Sequence, residues 1–292
     1  MVRQVKCPIC DGPSDVVGEK VGRFAKRPFV LRRCQRCRFS FVENPWLDYA
    51  RIYDAAYYEG RGADPLVDYS FELAEPERTI RRHEWEGIVK IVGRLTALTP
   101  ETRWLDFGCG NGGLVRHARK ATGCEVVGFE QGGIVAAARA AGIPILEPAA
   151  LAGLDGSFDV VTAIEVLEHV ADPLATLHQI RRLLRPGGLF FYTTGNAAPF
   201  RDRLTSWGYF IPEIHISLYE PASMTEALRR TGFEPHQEGY LPGWDDIIKF
   251  KVLKNLRLRR SRALHRALPW RLLGRAVDRH HRLTEFPIAH AV

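Results

Sequence analysis

Residues 105–113 read Leu105-Asp106-Phe107-Gly108-Cys109-Gly110-Asn111-Gly112-Gly113. A short apolar run carries a carboxylate, four glycines follow, and a helical pattern opens at about Leu114. Glycine lets a chain turn tightly after a strand and lets a ligand approach the backbone closely. The string satisfies the dinucleotide pattern GxGxxG through Gly108, Gly110 and Gly113. It equally satisfies DxGxGxG through Asp106, Gly108, Gly110 and Gly112, and on the glycines alone both readings stay open. Glu130 lies 22 residues beyond Gly108, at the end of the next strand, and can accept both hydroxyls of a ribose in either case.

Working outward, apolar strands alternate with helical stretches. Residues 103–107, 125–129, 158–163 and 189–193 read as buried strands. Helices are expected from Leu114, over 136–141 up to Gly142, around 174–184, and from Pro221 to Gly232. Arg185-Pro186-Gly187-Gly188 is expected to break the chain between helix and strand. Such alternation is the signature of a parallel sheet covered by helices, so the fold class is α/β, an open sandwich. Four segments follow: a cysteine-rich module at 1–42, a helical lead-in at 43–98, the core at 99–240 and a basic tail at 241–292. In the lead-in, Trp85, Ile88, Val89 and Val92 recur at the spacing of an amphipathic helix.

Motifs across the core agree in order and spacing. Val126-Val127-Gly128-Phe129-Glu130 follows the glycine loop; then come Phe158 to Pro173, containing Glu165-Val166-Leu167-Glu168-His169, and Leu183-Leu184-Arg185-Pro186-Gly187-Gly188-Leu189. Over about residues 99–235 the chain resembles class I S-adenosylmethionine-dependent methyltransferases, in the branch that includes ubiquinone-type O-methyltransferases. That resemblance implies a Rossmann-like sandwich in which Gly108, Gly110 and Gly112 pass under the cofactor's methionine and ribose. It implies that Asp106 reaches the methionine amino group, Glu130 holds the ribose hydroxyls and Gln131 lies beside the adenosine. Glu147 is the candidate for the adenine contact, and Glu165 is counted with the cofactor residues. His169 and His215 are the candidate catalytic bases, since an unperturbed imidazole titrates near neutral pH. Some relatives hold a divalent ion with ExxEH plus another histidine, which would place magnesium on Glu165, Glu168, His169 and His215. Pro199–Pro221 is the expected acceptor loop, with Phe200, Trp207, Tyr209 and Phe210 as an apolar wall and Arg201 and Arg203 as anion contacts.

Cys7, Cys10, Cys34 and Cys37 form two CxxC pairs. Two residues between thiolates let one tight turn place both on a metal, and two turns complete a tetrahedral, closed zinc site. The module is too short to hold itself by burial, so the ion would supply much of its folding energy. The full chain resembles bacterial methyltransferases carrying such a zinc-ribbon-like segment, many of them associated with surface-glycan or secondary-metabolite modification. Cys109 and Cys124 lack a CxxC partner and read as buried cysteines.

The chain has 292 residues, 46% hydrophobic and 26% charged, which excludes a disordered or collagen-like polymer. No stretch approaches 18 apolar residues, and Met1–Cys10 has no apolar signal region, so a cytoplasmic location is expected. The net charge of +7 conceals +7 on residues 1–42 and +11 on residues 249–282, leaving −11 for the rest. Leu264, Leu268 and Leu272 share a stripe in the basic tail, which suits peripheral contact with an anionic membrane. The expected acceptor is a small molecule or a glycan, including a lipid-linked one. An RNA methyltransferase holding phosphates with its two basic ends is the alternative, opposed by the acidic body and by the absence of Asn/Asp-Pro-Pro-Tyr. A non-catalytic, cofactor-binding scaffold is the third reading.

Overall fold

The computed structural model describes residues 5–62, 68–236, 241–262, 268–273 and 276, with 288–291 described for the backbone alone. The N-terminal segment forms β1 (Ser14–Val21), β2 (Pro28–Cys34) and β3 (Ser40–Val42). The lead-in forms α1 (Tyr49–Ile52), α2 (Ala55–Tyr58), α3 (Tyr69–Ala74) and α4 (Arg82–Leu95). The core follows as β4 (Arg103–Phe107), α5 (Gly113–Thr122), β5 (Glu125–Phe129), α6 (Val135–Ala140), β6 (Ile145–Leu146), β7 (Phe158–Ile164), α7 (Pro173–Leu183) and β8 (Leu184–Thr193). It continues through β9 (Ser217–Leu218), α8 (Pro221–Arg230), β10 (Phe233–His236), α9 (Trp244–Asn255) and β11 (Ile288–Ala291).

Seven strands form the central sheet in the order β10-β11-β8-β7-β4-β5-β6. β4 to β8 run parallel, and β11 is antiparallel to both of its neighbours. Trp104, Leu105, Val160, Val161, Phe190 and Phe191 are fully buried, because helices cover both faces of the sheet. The chain leaves β4 toward one edge and returns at β7 toward the other. Ligands of open α/β sheets sit beyond the carboxyl ends of the strands at such a reversal.

The expected break at 185–188 is taken up within β8. Phe158 pairs with Leu184 and Val160 with Leu189, so the four residues form an irregularity in the ladder. Segment 241–292 contributes to the body of the molecule. β11 fills a position inside the sheet, and α9 crosses α4 where Gly87 and Gly243 meet. A Cβ on Gly87 would lie 2.5 Å from the Gly243 carbonyl, so only glycine permits this approach. Leu268 and Leu272 are exposed, while Leu264 lies outside the described residues. No helix among the described residues is long and apolar enough to cross a membrane.

The smaller sheet has the order β1-β2-β3-β9. β9 belongs to the segment after β8, and Ser40 and Phe41 of β3 pair with Leu218 and Ser217. The cysteine-rich module is therefore hydrogen-bonded into the expected acceptor loop. Phe29, Leu31 and Val42 pack with Leu204, Phe210, Ile216 and Leu218 in a shared core.

Candidate active site

Asp106 ends up 3% exposed, because β4 is covered on both faces. Its Oδ1 accepts from the Thr162 hydroxyl at 2.7 Å, and Thr162 in turn accepts from Trp104 Nε1 at 3.0 Å. Burial, reinforced by the nearby Glu130 and Glu84 charges, pushes the Asp106 carboxyl up to about 7. No ion-pair partner for it occurs among the described residues. Gly108, Gly110 and Gly112 have φ of +76°, +54° and +71°, the left-handed region that side chains resist. A Cβ on Gly108 or Gly112 would also fall 2.5 Å from Val166 or 2.3 Å from Ile143.

Glu130 clamps this loop to the turn after β5. Its Oε2 accepts from Gly110 N at 3.0 Å, and its Oε1 accepts from Gln131 N and Gly132 N at 2.9 and 2.7 Å. Asp106, Gly108 and Gly110 line an open cleft walled further by Tyr69, Trp85 and Ile164. A buried carboxyl beside this turn fits the methionine end of S-adenosylmethionine, whose ammonium would hold Asp106 ionised. Glu147 is outside the cleft lining; it is mostly exposed and paired with Arg139.

A buried charge network borders the cleft. Arg81 bonds Glu72 at 3.0 Å and Glu84 at 2.7 Å, and Asn111 of the glycine loop donates to Glu72 at 3.2 Å. Lys251 of α9 reaches Glu165 at 3.0 Å. Burial raises the Glu165 carboxyl, but the Lys251 and Lys254 charges outweigh it and hold the group down at about 2. The sequence reading named neither Arg81 nor Lys251. A basic residue in a basic tail carries no local mark that it will be folded against an acid 86 positions away.

Beyond the carboxyl end of β7, Glu168, His169 and His215 come together, with one ligand atom of each within 4.8 Å of the others. The His169 and His215 rings lie 4.8 Å apart, edge to face. Tyr53 Oη is 3.0 Å from His169 Nδ1, and His215 Nδ1 bonds the Tyr209 carbonyl. The Tyr209 hydroxyl lies between two acids, donating to Glu168 and standing 3.1 Å from Glu165. Burial and the Glu165 charge push Glu168 up to about 8. Phe200, Trp207, Tyr209 and His215 stack in succession at 4.7, 4.9 and 4.3 Å, so the aromatic wall continues into the histidine pair. Arg201 is engaged by buried Glu220 at 2.8 Å.

Of the four donors that the resemblance offers for magnesium, Glu168, His169 and His215 come together. Glu165 is turned to Lys251, and the remaining set of one carboxylate and two imidazoles departs from the oxygen shell that magnesium requires. The four N-terminal cysteines do fit zinc. All are buried, with sulfurs 3.6 Å apart for Cys7 and Cys37 and 3.4 Å for Cys10 and Cys34. Zn–S bonds of ~2.3 Å in a tetrahedron place sulfurs about 3.8 Å apart. Ile9 N and Arg36 N donate to Cys7 and Cys34 at 3.4 and 3.3 Å, the backbone turn that each CxxC pair needs.

A family model described as a methyltransferase domain matches residues 78–238, more than half of the chain. The chain belongs to this methyltransferase family. The ubiquinone biosynthesis O-methyltransferase of Ruegeria pomeroyi is 42% identical over 158 residues, which cover 46% of this chain and 60% of that protein. Its counterpart from Bordetella pertussis is 30% identical over 155 residues, covering 46% and 62%. The match spans 41–62% of the length of the curated relatives. A phosphoethanolamine N-methyltransferase 2 of Haemonchus contortus, solved with S-adenosyl-L-methionine, shares the fold with a TM-score of 0.51. It is 16% identical, and the superposition covers 86% of this chain and 61% of that one. The chain thus carries a methyltransferase domain on a Rossmann-like, largely parallel sheet.

Proposed function

We propose that this methyltransferase methylates a hydroxyl group of a small-molecule or glycan acceptor, with His215 as the base and His169 as its positioning partner. The observation that carries the reading is the histidine pair beyond the carboxyl end of β7, 4.8 Å ring to ring and walled by the aromatic stack of the acceptor loop. The names of the curated relatives, which match part of the chain, support O-methylation.

Bound S-adenosylmethionine supplies an already activated methyl group, so the chain's task is alignment and removal of one proton. Asp106 would take the ammonium, Glu130 the ribose through Oε2, and Gln131 would lie beside the adenosine. His215 Nδ1 donates its proton to the Tyr209 carbonyl, which makes Nε2 the accepting nitrogen and so the basic one. Tyr53 and Glu168 flank the two ring nitrogens of His169, at 3.0 and 3.9 Å, and fix its plane beside His215. Glu165, neutralised by Lys251, fixes Tyr209 and with it the wall against which the acceptor would lie.

Methyl-labelled S-adenosylmethionine, incubated with the protein and a fractionated extract, identifies the acceptor fraction. On that fraction, His215→Asn should lose about 10²–10⁴-fold in turnover, with affinity for S-adenosylhomocysteine kept. Undiminished turnover in both His215→Asn and His169→Asn would exclude histidine base catalysis.

A further inference from the structure

A second cavity lies apart from the cofactor cleft. Three parts of the chain build it: the tip of the β1–β2 hairpin, the lead-in around α1 and α2, and the turn before His215. Phe24, Trp46, Arg51 and Arg61 all precede the matched methyltransferase segment, so most of this cavity is an addition to the common core.

Its lining combines three chemistries. Phe24, 44% exposed at the hairpin tip, and Trp46 offer ring faces. Arg51 and Arg61 offer guanidinium groups; Arg51 lies 5.5 Å over the Trp46 ring and its ion pair with Asp48 is long, at 3.9 Å, while Arg61 is paired with exposed Glu59. Asp54 and Glu213 offer carboxylates. Glu213 is 1% exposed; its Oε1 accepts from Phe24 N at 2.9 Å and Ala25 N at 3.4 Å, while its Oε2 has no hydrogen-bond partner among the described residues. A buried carboxylate oxygen without a donor is costly, and a ligand hydroxyl relieves it. An apolar surface without hydroxyls would leave that oxygen without a donor. A nucleic-acid strand would bring its phosphates against both carboxylates.

We propose that this cavity is the subsite for a sugar phosphate. The sugar's C–H face lies on Trp46 and Phe24, its hydroxyls donate to Glu213 and Asp54, and its phosphate is held by Arg51 and Arg61. The cavity adjoins the histidine pair: Ile52 lines it and neighbouring Tyr53 bonds His169, while Glu213 stands two residues before His215. The inference rests on the methyl-transfer reading, since it names the acceptor class of that site. The same chemistry reaches the protein from two sources, a soluble sugar phosphate or a lipid-linked one.

The test is calorimetry on the full chain with glucose, galactose and mannose 1-phosphates, and cosedimentation with phosphatidylinositol vesicles against phosphatidylglycerol vesicles of equal charge. Saturable binding of at least one hexose 1-phosphate, or preference for phosphatidylinositol, is expected, and which of them binds assigns the source. The double variant Arg51→Ala/Arg61→Ala should weaken that binding at least tenfold and leave S-adenosylhomocysteine affinity unchanged. Binding of S-adenosylhomocysteine with no response to any of these probes overturns the subsite alone, as does equal probe binding by wild type and double variant. Failure of the wild-type chain to bind S-adenosylhomocysteine would instead overturn the methyl-transfer reading.

Discussion

Replacing Asp106 with Asn should stabilise the cofactor-free protein while weakening its hold on the cofactor. In the folded chain the Asp106 carboxyl is pushed up to about 7, well above the ordinary aspartate value of about 4, because burial removes water from its charge. A raised carboxyl pKa means that the folded state prefers the proton. Stability from this group is therefore complete below pH ~4 and is lost as pH rises to about 7. At ~1.4 kcal/mol per pKa unit the cost of ionising the buried acid approaches about 4 kcal/mol at pH 8 and is roughly 2 kcal/mol at pH 5. Asn removes that cost and keeps an oxygen for the Thr162 hydroxyl, which donates to Asp106 at 2.7 Å. Urea unfolding of wild type and Asp106→Asn at pH 5 and pH 8 reads the difference. The advantage of the variant should grow by roughly 2–3 kcal/mol between those pH values. In the presence of S-adenosylhomocysteine the order should reverse, because the ligand's ammonium stabilises only the carboxylate. A variant equally destabilised at both pH values would refute the reasoning, for it would mean that Asp106 already has its charge compensated.

Cys34→Ser, in the cysteine set that fits zinc, should abolish the binding of one zinc ion per chain, measured by metal analysis. Through the β3–β9 pairing it should also speed amide exchange across residues 197–220 while residues 113–122 stay protected; unchanged exchange in 197–220 would count against the coupling. Gly112→Ala forces a side chain into φ +71° with its Cβ 2.3 Å from Ile143. Left-handed strain and overpacking together should cost about 2–5 kcal/mol in urea unfolding, and a loss under 1 kcal/mol would show that the loop relaxes easily.

Much of this was legible in the order of residues. A strand that is buried on both faces must be apolar along its length, so β4, β5 and β7 stand out as short hydrophobic runs. A turn with positive φ favours glycine, so the loop at 108–113 is marked residue by residue. Two residues between thiolates set the geometry of a metal turn, so the cysteine pairs declare themselves before any fold is known. Pairing in space leaves no such mark. The approach of Lys251 to Glu165, of Tyr53 to His169 and of Glu213 to the β1–β2 hairpin joins residues 86 to 189 positions apart, and nothing in either stretch names its partner. Glu165 and His169 were marked by their motif; the lysine and the tyrosine that they meet were not.

Sequence alone determined the class of fold, the glycine loop after β4 and the cysteine set, because local periodicity, backbone freedom and ligand spacing are properties of neighbouring residues. Tertiary structure alone decided that the cysteine module lends its sheet to the segment after β8, that the basic segment supplies both α9 with Lys251 and the strand β11, and that Glu165 answers a lysine. Those outcomes depend on which distant surfaces are left to be covered once the central sheet has formed, and no short stretch of chain contains that information.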